Sequence, residues 1–67
     1  MNPVRRHFTR LASAPHSRFI VEAHVRHLEG VSRRLAQAFP RQFAAAKKTL
    51  DADLAWMRRA FTAKYGQ

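Results

Sequence analysis

The chain has no cysteine, two glycines, three prolines and only four acidic residues among its 67. Without cysteine it can form neither a disulfide framework nor a thiolate zinc site, so packing alone must hold it together. No uninterrupted apolar run exceeds four residues, whereas a membrane-spanning helix needs about twenty. These absences predict one small domain with no transmembrane span.

Positive charge is abundant by contrast. Lysine and arginine total 13, which gives a formal net charge of +9. Residues 1–18 contain four arginines and no acid, and residues 40–67 contain six basic residues against two acidic ones. This balance favours an anionic partner, which could be RNA phosphate, lipid head groups or an acidic protein surface.

Residues 1–16 form a basic N-terminal segment that is also amphipathic. Val4, Phe8, Leu11 and Ala12 share one side of a helical projection, with the arginines beside or opposite them. An acid-free start of this kind is typical of a mitochondrial import signal, here expected to be retained. The alternatives are a basic arm that contacts RNA or stays solvated, and a bacterial or phage interaction protein whose start is unrelated to import.

The remainder is rich in helix-forming residues and predicts an all-α fold with one helix over 17–39 and a second over 40–65. The first helix has a single apolar stripe that keeps its phase across Gly30, which predicts a continuous helix with a close approach at Gly30; a break there is the alternative. On its polar face Glu22 precedes Arg26, and Glu29 precedes Arg33, at the spacing of intrahelical ion pairs. The stripe comprises Val21, Val25, Leu28, Val31, Leu35, Ala38 and Phe39.

The second helix has two apolar stripes on roughly opposite sides. A chain with one other long helix cannot cover both, so the second helix is expected to contact another protein. The alternative is that the alanines reflect helix propensity and Trp56 is a lone exposed aromatic. The predicted partner interface comprises Leu50, Leu54, Met57, Phe61 and Tyr65 on one side and Ala45, Ala52, Trp56, Ala60 and Ala63 on the other.

Pro40 separates the two predicted helices. Proline has no amide to donate and disfavours helical geometry in the residue before it, so a kink or restart is expected there. Because few residues lie between Phe39 and Phe43, the sequence favours an L-shape or a bent rod over a hairpin, with little self-contained core. A nearly straight arrangement would extend about 70 Å.

The sequence contains few residue patterns typical of catalytic, cofactor or metal sites. The four acids have basic neighbours along the helices and are interpreted as surface charges, so no catalytic site and no cofactor are predicted. His24 and His27 have a metal-compatible spacing, but nothing completes a ligand shell, and no metal site is predicted. The basic residues assigned to an anionic partner or lipid head group are Arg58, Arg59, Lys47 and Lys48.

In its size, its import-like N-terminus and its two-faced helices the chain resembles the small accessory subunits that coat mitochondrial energy-converting complexes, which are often basic and helical. That resemblance implies a non-catalytic subunit of a respiratory or ATP synthase complex, peripheral to the inner membrane and bridging larger protein subunits. The alternative is a small basic RNA-bound protein such as a mitochondrial ribosomal subunit, although most aromatic residues fall in the apolar stripes rather than on an expected stacking surface.

Overall fold

A computed structural model describes residues 2–15 and 18–66. It contains three helices, α1 (Pro3–Ser13), α2 (Arg18–Ala38) and α3 (Ala44–Tyr65), and no strand within the described ranges. The all-α prediction is confirmed, and the N-terminal segment adds a third helix. Residue 17, where the sequence predicts the start of the first long helix, lies outside the described residues.

Local sequence explains the start of α1. The Asn2 side chain accepts a hydrogen bond from the Arg5 backbone N–H at 2.9 Å, and Pro3 occupies the first turn, where its missing amide is harmless. At the other end the Ala14 N–H donates to the Arg10 carbonyl at 3.1 Å. The amphipathic pattern then buries Phe8 and Ala12.

A turn over residues 39–43 joins α2 to α3. The Phe39 N–H still donates to the Leu35 carbonyl at 2.8 Å, and Pro40 then ends the α2 hydrogen-bond pattern. The Phe43 N–H donates to the Phe39 carbonyl at 2.9 Å, so the turn is itself hydrogen-bonded. Five residues are enough for an antiparallel connection, and α3 begins at Ala44 rather than at residue 40.

The L-shape or bent rod expected from Pro40 is therefore wrong. The molecule measures 38 × 22 × 17 Å, because α2 and α3 fold back on each other as a hairpin and α1 contacts both. Chain reversal lets the two large apolar stripes face each other, which an extended arrangement would leave in water.

The expectation of little self-contained core is also corrected, because all three helices contribute buried apolar side chains. Val21, Val25 and Met57 are fully buried at the centre. Burying one such side chain is worth about 1.5–3 kcal/mol relative to leaving it exposed. The buried apolar residues are Phe8 and Ala12 of α1, Val21 and Val25 of α2, and Leu54, Met57 and Phe61 of α3.

Gly66 ends α3 as the sequence predicts. It adopts a φ of 76°, a conformation that glycine reaches without strain, and its N–H donates to the Thr62 carbonyl at 2.9 Å. None of the described helices combines the length and apolar character needed to cross a bilayer.

Candidate functional site

Trp56, the expected anchor for a partner protein, is covered by the chain's own N-terminal helix. The ring centroids of Phe8 and Trp56 are 5.9 Å apart with an interplanar angle of 78°, an edge-to-face contact. The Arg5 guanidinium carbon lies 5.2 Å from the centroid of the Trp56 ring. Helix α1 thus supplies part of the cover that the sequence analysis assigned to another protein.

The structure divides the predicted partner interface into three groups. Leu54, Met57 and Phe61 are buried in the core, so they cannot meet a partner while the bundle is closed. Half-buried residues pack against that core, and three alanines of the second stripe are exposed. The half-buried group is Leu50, Trp56, Ala60 and Tyr65, and the exposed group is Ala45, Ala52 and Ala63.

Arg58 pairs with an acidic residue of α2. Its Nη2 donates to Glu29 Oε1 at 2.7 Å and its Nε donates to Glu29 Oε2 at 3.2 Å, a two-point contact between α3 and α2. The bond from Arg58 lowers the pKa of Glu29 below its ordinary value, against the opposing effect of burial. Glu22 lies 3.2 Å from Arg26, as predicted, and 3.8 Å from Arg58.

Asp51 links the two long helices through a serine that interrupts the α2 apolar stripe. Ser32 is buried, and its hydroxyl donates to Asp51 Oδ1 at 2.9 Å. Lys47 donates to Asp51 Oδ2 from one turn earlier in α3. The bonds from Lys47 and Ser32 lower the pKa of Asp51.

Asp53 is not the surface charge expected from sequence, because only 3% of it is exposed. It accepts hydrogen bonds from Arg5 Nε at 2.7 Å and from Asn2 Nδ2 at 3.0 Å, both at the start of α1. The bond from Arg5 lowers the pKa of Asp53, burial acts in the opposite direction, and the bond from Asn2 lowers it further. A buried carboxylate with this pairing fixes the position of α1 on α3.

A polar groove of about 290 Å³ lies between α2 and α3, and Glu29, Asp51, Lys47 and Arg58 contribute to its walls. Both carboxylates there are held ionised by cations and have lowered pKa values. A general base needs a pKa near the working pH, and these carboxylates are shifted the other way. The groove thus contains one ion pair between α2 and α3 and one within α3.

Histidines from two helices meet at the contact between α1 and α2. The ring centroids of His7 and His24 are 5.0 Å apart, beside a cavity of about 260 Å³ that Val4 and Leu28 also line. Burial lowers the pKa of His24, and His7 and His27 lower it further. Within residues 2–15 and 18–66, no three histidine or acidic side chains are grouped as metal ligands. Sequence spacing gave no signal for His7, because its contact depends on the docking of α1.

All four acidic residues of the chain are thus engaged by cations within the molecule, which leaves the outer surface to positive charge. Of the four basic residues predicted to face an anionic partner, Lys48 and Arg59 are exposed. Within the described part of the chain, seven exposed lysine and arginine side chains take part in none of the ion pairs with these acids. They are Arg10, Arg33, Arg34, Arg41, Lys48, Arg59 and Lys64.

Three large apolar side chains are also exposed. Phe19 and Ile20, at the start of α2, are 74% and 50% exposed, and Phe39, in the turn at the other end of α2, is 50% exposed. The helical spacing of Phe39 predicts that it belongs to the first apolar stripe, and that prediction is wrong about its exposure. Pro40 was the available signal, because a side chain where a helix ends need not follow the face of that helix.

Comparison with known protein families, curated proteins and solved structures finds no match to this chain. Its function must therefore be argued from the surface itself.

Proposed function

We propose that the chain is a non-catalytic, basic RNA-bound protein that works as part of a larger assembly. The observation that carries this proposal is the pairing of all four acids with cations of the same chain, which leaves exposed arginines and lysines without compensating negative charge. Phosphate contacts of this kind dominate the affinity of proteins for nucleic acids.

Two further features support RNA over a protein partner. The large apolar stripe of α3 and Trp56 are occupied within the bundle, which removes the main argument for a bridging role. One aromatic side chain, Phe39, is instead exposed in a turn with basic neighbours, and such a ring can stack on an unpaired base.

The proposal is tested by recovering the tagged chain with its assembly from cells and repeating the sedimentation after nuclease treatment. RNA-dependent association predicts release by nuclease, whereas a protein-bound subunit stays with the heavy fraction. In vitro, affinity for a labelled RNA oligonucleotide should fall linearly on a log–log plot against salt, with a slope of about 0.7 per phosphate contact for a single strand. Affinity that does not change with salt would contradict the proposal.

The second candidate is an accessory subunit of a mitochondrial inner-membrane complex, either respiratory or ATP synthase, held peripherally by protein contacts. Phe19 and Ile20 favour it, because two adjacent exposed apolar side chains suit a protein or lipid contact. Retention after nuclease treatment, combined with loss of retention in Phe19→Ala, would support this candidate over the first.

For both candidates we propose a mitochondrial location, on the basis of the arginine-rich start. Because Phe8 and Ala12 complete the core, we propose that α1 is kept in the mature protein. A reporter fused to residues 1–20 tests whether this segment directs import into mitochondria. The N-terminal peptide of the isolated protein tests whether α1 is retained. A cytosolic reporter would overturn the first idea, and a mature N-terminus beyond Ala12 the second.

A further inference from the structure

The turn between α2 and α3 lies in a long stretch of the chain that contains no acidic residue. Residues 30–50 contain five basic residues and no aspartate or glutamate. Only Lys47 among the five pairs with a carboxylate, that of Asp51. The other four are exposed: Arg33, Arg34, Arg41 and Lys48.

Phe39 projects an apolar ring from this cationic end of the molecule. Its backbone is held on both sides, since its N–H donates to Leu35 and its carbonyl accepts from Phe43. Its side chain is nevertheless half exposed, whereas Phe8 and Phe61 are buried. The ring is therefore presented from an ordered backbone, which limits the conformational entropy lost when a ligand stacks on it.

Cations lie on both sides of Phe39 along the chain. Arg41 is exposed in the same turn, two residues later. Arg33 and Arg34 lie one to two helical turns before Phe39, and their guanidinium groups reach back toward Gly30: a methyl group placed on Gly30 would lie 3.1 Å from Arg34 Nη1 and 3.8 Å from Arg33 Nη2. An extended backbone that crosses the turn would meet positive charge before and after the aromatic ring.

We propose that this turn binds single-stranded RNA, with Phe39 stacking on an unpaired base and Arg41 and Arg34 contacting phosphates on either side. This inference rests on the proposed RNA-binding function and assigns it a site and a substrate class. A single strand is required because the base faces of a duplex are covered by their neighbours, whereas an unpaired base offers a free face.

A bilayer fits this end less well. Phe39 is followed by exposed Pro40, Arg41 and Gln42, so the turn has one large apolar side chain and no continuous apolar face. Peripheral membrane helices bury a broad apolar face in the head-group region. The cationic turn with one ring is better matched to alternating bases and phosphates.

The decisive experiment compares Phe39→Ala with Phe19→Ala, a matched removal of an exposed phenylalanine at the opposite end of α2. Each variant is titrated against a labelled ten-nucleotide oligouridine and against a blunt RNA duplex of equal phosphate number. We expect Phe39→Ala to weaken oligouridine binding by roughly 5- to 150-fold, the loss of one stacked base, and to leave duplex binding unchanged. Phe19→Ala should bind both RNAs like the wild type.

Phe39→Trp tests stacking by a fluorescence signal, so the result does not depend on a loss of binding that unfolding could also cause. It should keep oligouridine binding, and its added emission should be quenched by stacking, while the wild-type emission from Trp56 serves as the baseline. Arg41→Gln should reduce the salt slope by about one phosphate contact, whereas Arg26→Gln, whose charge is paired with Glu22, should not.

Equal losses in Phe39→Ala and Phe19→Ala, or no loss in either, would overturn the assignment of this turn while leaving RNA binding intact. Failure of the wild type to bind any RNA would overturn the proposed function itself. A third outcome is that Phe39→Ala weakens binding to anionic lipid vesicles but not to oligouridine. The ligand of this turn would then be a membrane surface rather than an RNA strand.

Discussion

Arg5 and Asp53 join the first and last helices of the bundle through a 2.7 Å hydrogen bond between Nε and Oδ1. The carboxylate is almost fully buried, and Asn2 donates to the same oxygen at 3.0 Å. Because Asn2 also caps α1, the start of that helix and its place on α3 are stabilised by one small network.

Asp53→Asn should destabilise the bundle by about 1–3 kcal/mol, because it removes the charge that Arg5 and Asn2 meet in a buried position. Urea unfolding followed by circular dichroism measures the change. Asp51→Asn is the matched control on the same helix, and it should lose less, since the Asp51 side chain is 45% exposed. A larger loss at Asp51 than at Asp53 would contradict this account.

The Arg5–Asp53 pair also contributes to the loss of folding stability at acidic pH. The pKa of Asp53 is lowered in the folded state, so its contribution is fully present above its ordinary value of 3.8 and is lost as pH falls through the lower folded value. The wild type should therefore lose stability below about pH 4 more steeply than Asp53→Asn. Parallel acid titrations of the two proteins would contradict the pairing.

Phe8→Ala should undock α1 and expose Trp56. Removing a buried phenylalanine typically costs about 3–5 kcal/mol, which is comparable to the whole stability expected of a 67-residue domain. We expect a red shift of Trp56 emission and easier proteolysis within α1. Phe19→Ala, which removes a 74% exposed ring, should leave the emission unchanged. An unshifted spectrum in Phe8→Ala would show that Trp56 is covered by something else.

Stability should also fall as pH decreases from about 6.5, because burial and the neighbouring His7 and His27 lower the pKa of His24. The unfolded chain then binds the proton more readily than the folded one, so stability is lost through the window between 6.5 and the lower folded pKa. His24→Gln should flatten this part of the profile, and His27→Gln, at an exposed position, should change it less. An imidazole of His24 that titrates above 6.5 in the folded protein would reverse the expected sign.

Gly30→Ala should stabilise the protein by about 0.5–1 kcal/mol. Glycine within a helix is unfavourable, and the atoms nearest to an added methyl group belong to the flexible end of Arg34. Thermal unfolding should show a rise in Tm of a few degrees. Gly66→Ala is the opposite control, because its φ of 76° strains any other residue. A loss of stability in Gly30→Ala would mean that Arg34 cannot move aside.

Sequence periodicity was sufficient to predict the two long helices and much of their buried face. Val21, Val25, Leu54, Met57 and Phe61 follow helical spacing, and all five are buried. Spacing within one helix could not say what covers the other side of α3, because that depends on contacts between residues far apart in the chain. The predicted partner interface was for this reason partly an interior surface.

For charged residues too, spacing within one helix predicts pairs along that helix but not pairs between helices. Glu22 and Arg26 are four residues apart, so their ion pair could be predicted from the sequence. Arg58 and Glu29 lie on different helices, and Asp53 meets Arg5 only because α1 docks on α3. The candidate site at Phe39 also escaped prediction, because its exposure follows from the turn after Ala38 rather than from composition.

The docking of α1 on α3 has a consequence for the order of events during synthesis. Arg5 and Asp53 are separated by 48 residues, so the first helix cannot find its place until nearly the whole chain has emerged from the ribosome. Until then the basic, amphipathic α1 presents its apolar side to whatever it meets. The finished fold then hides Phe8 and Ala12 from any such contact.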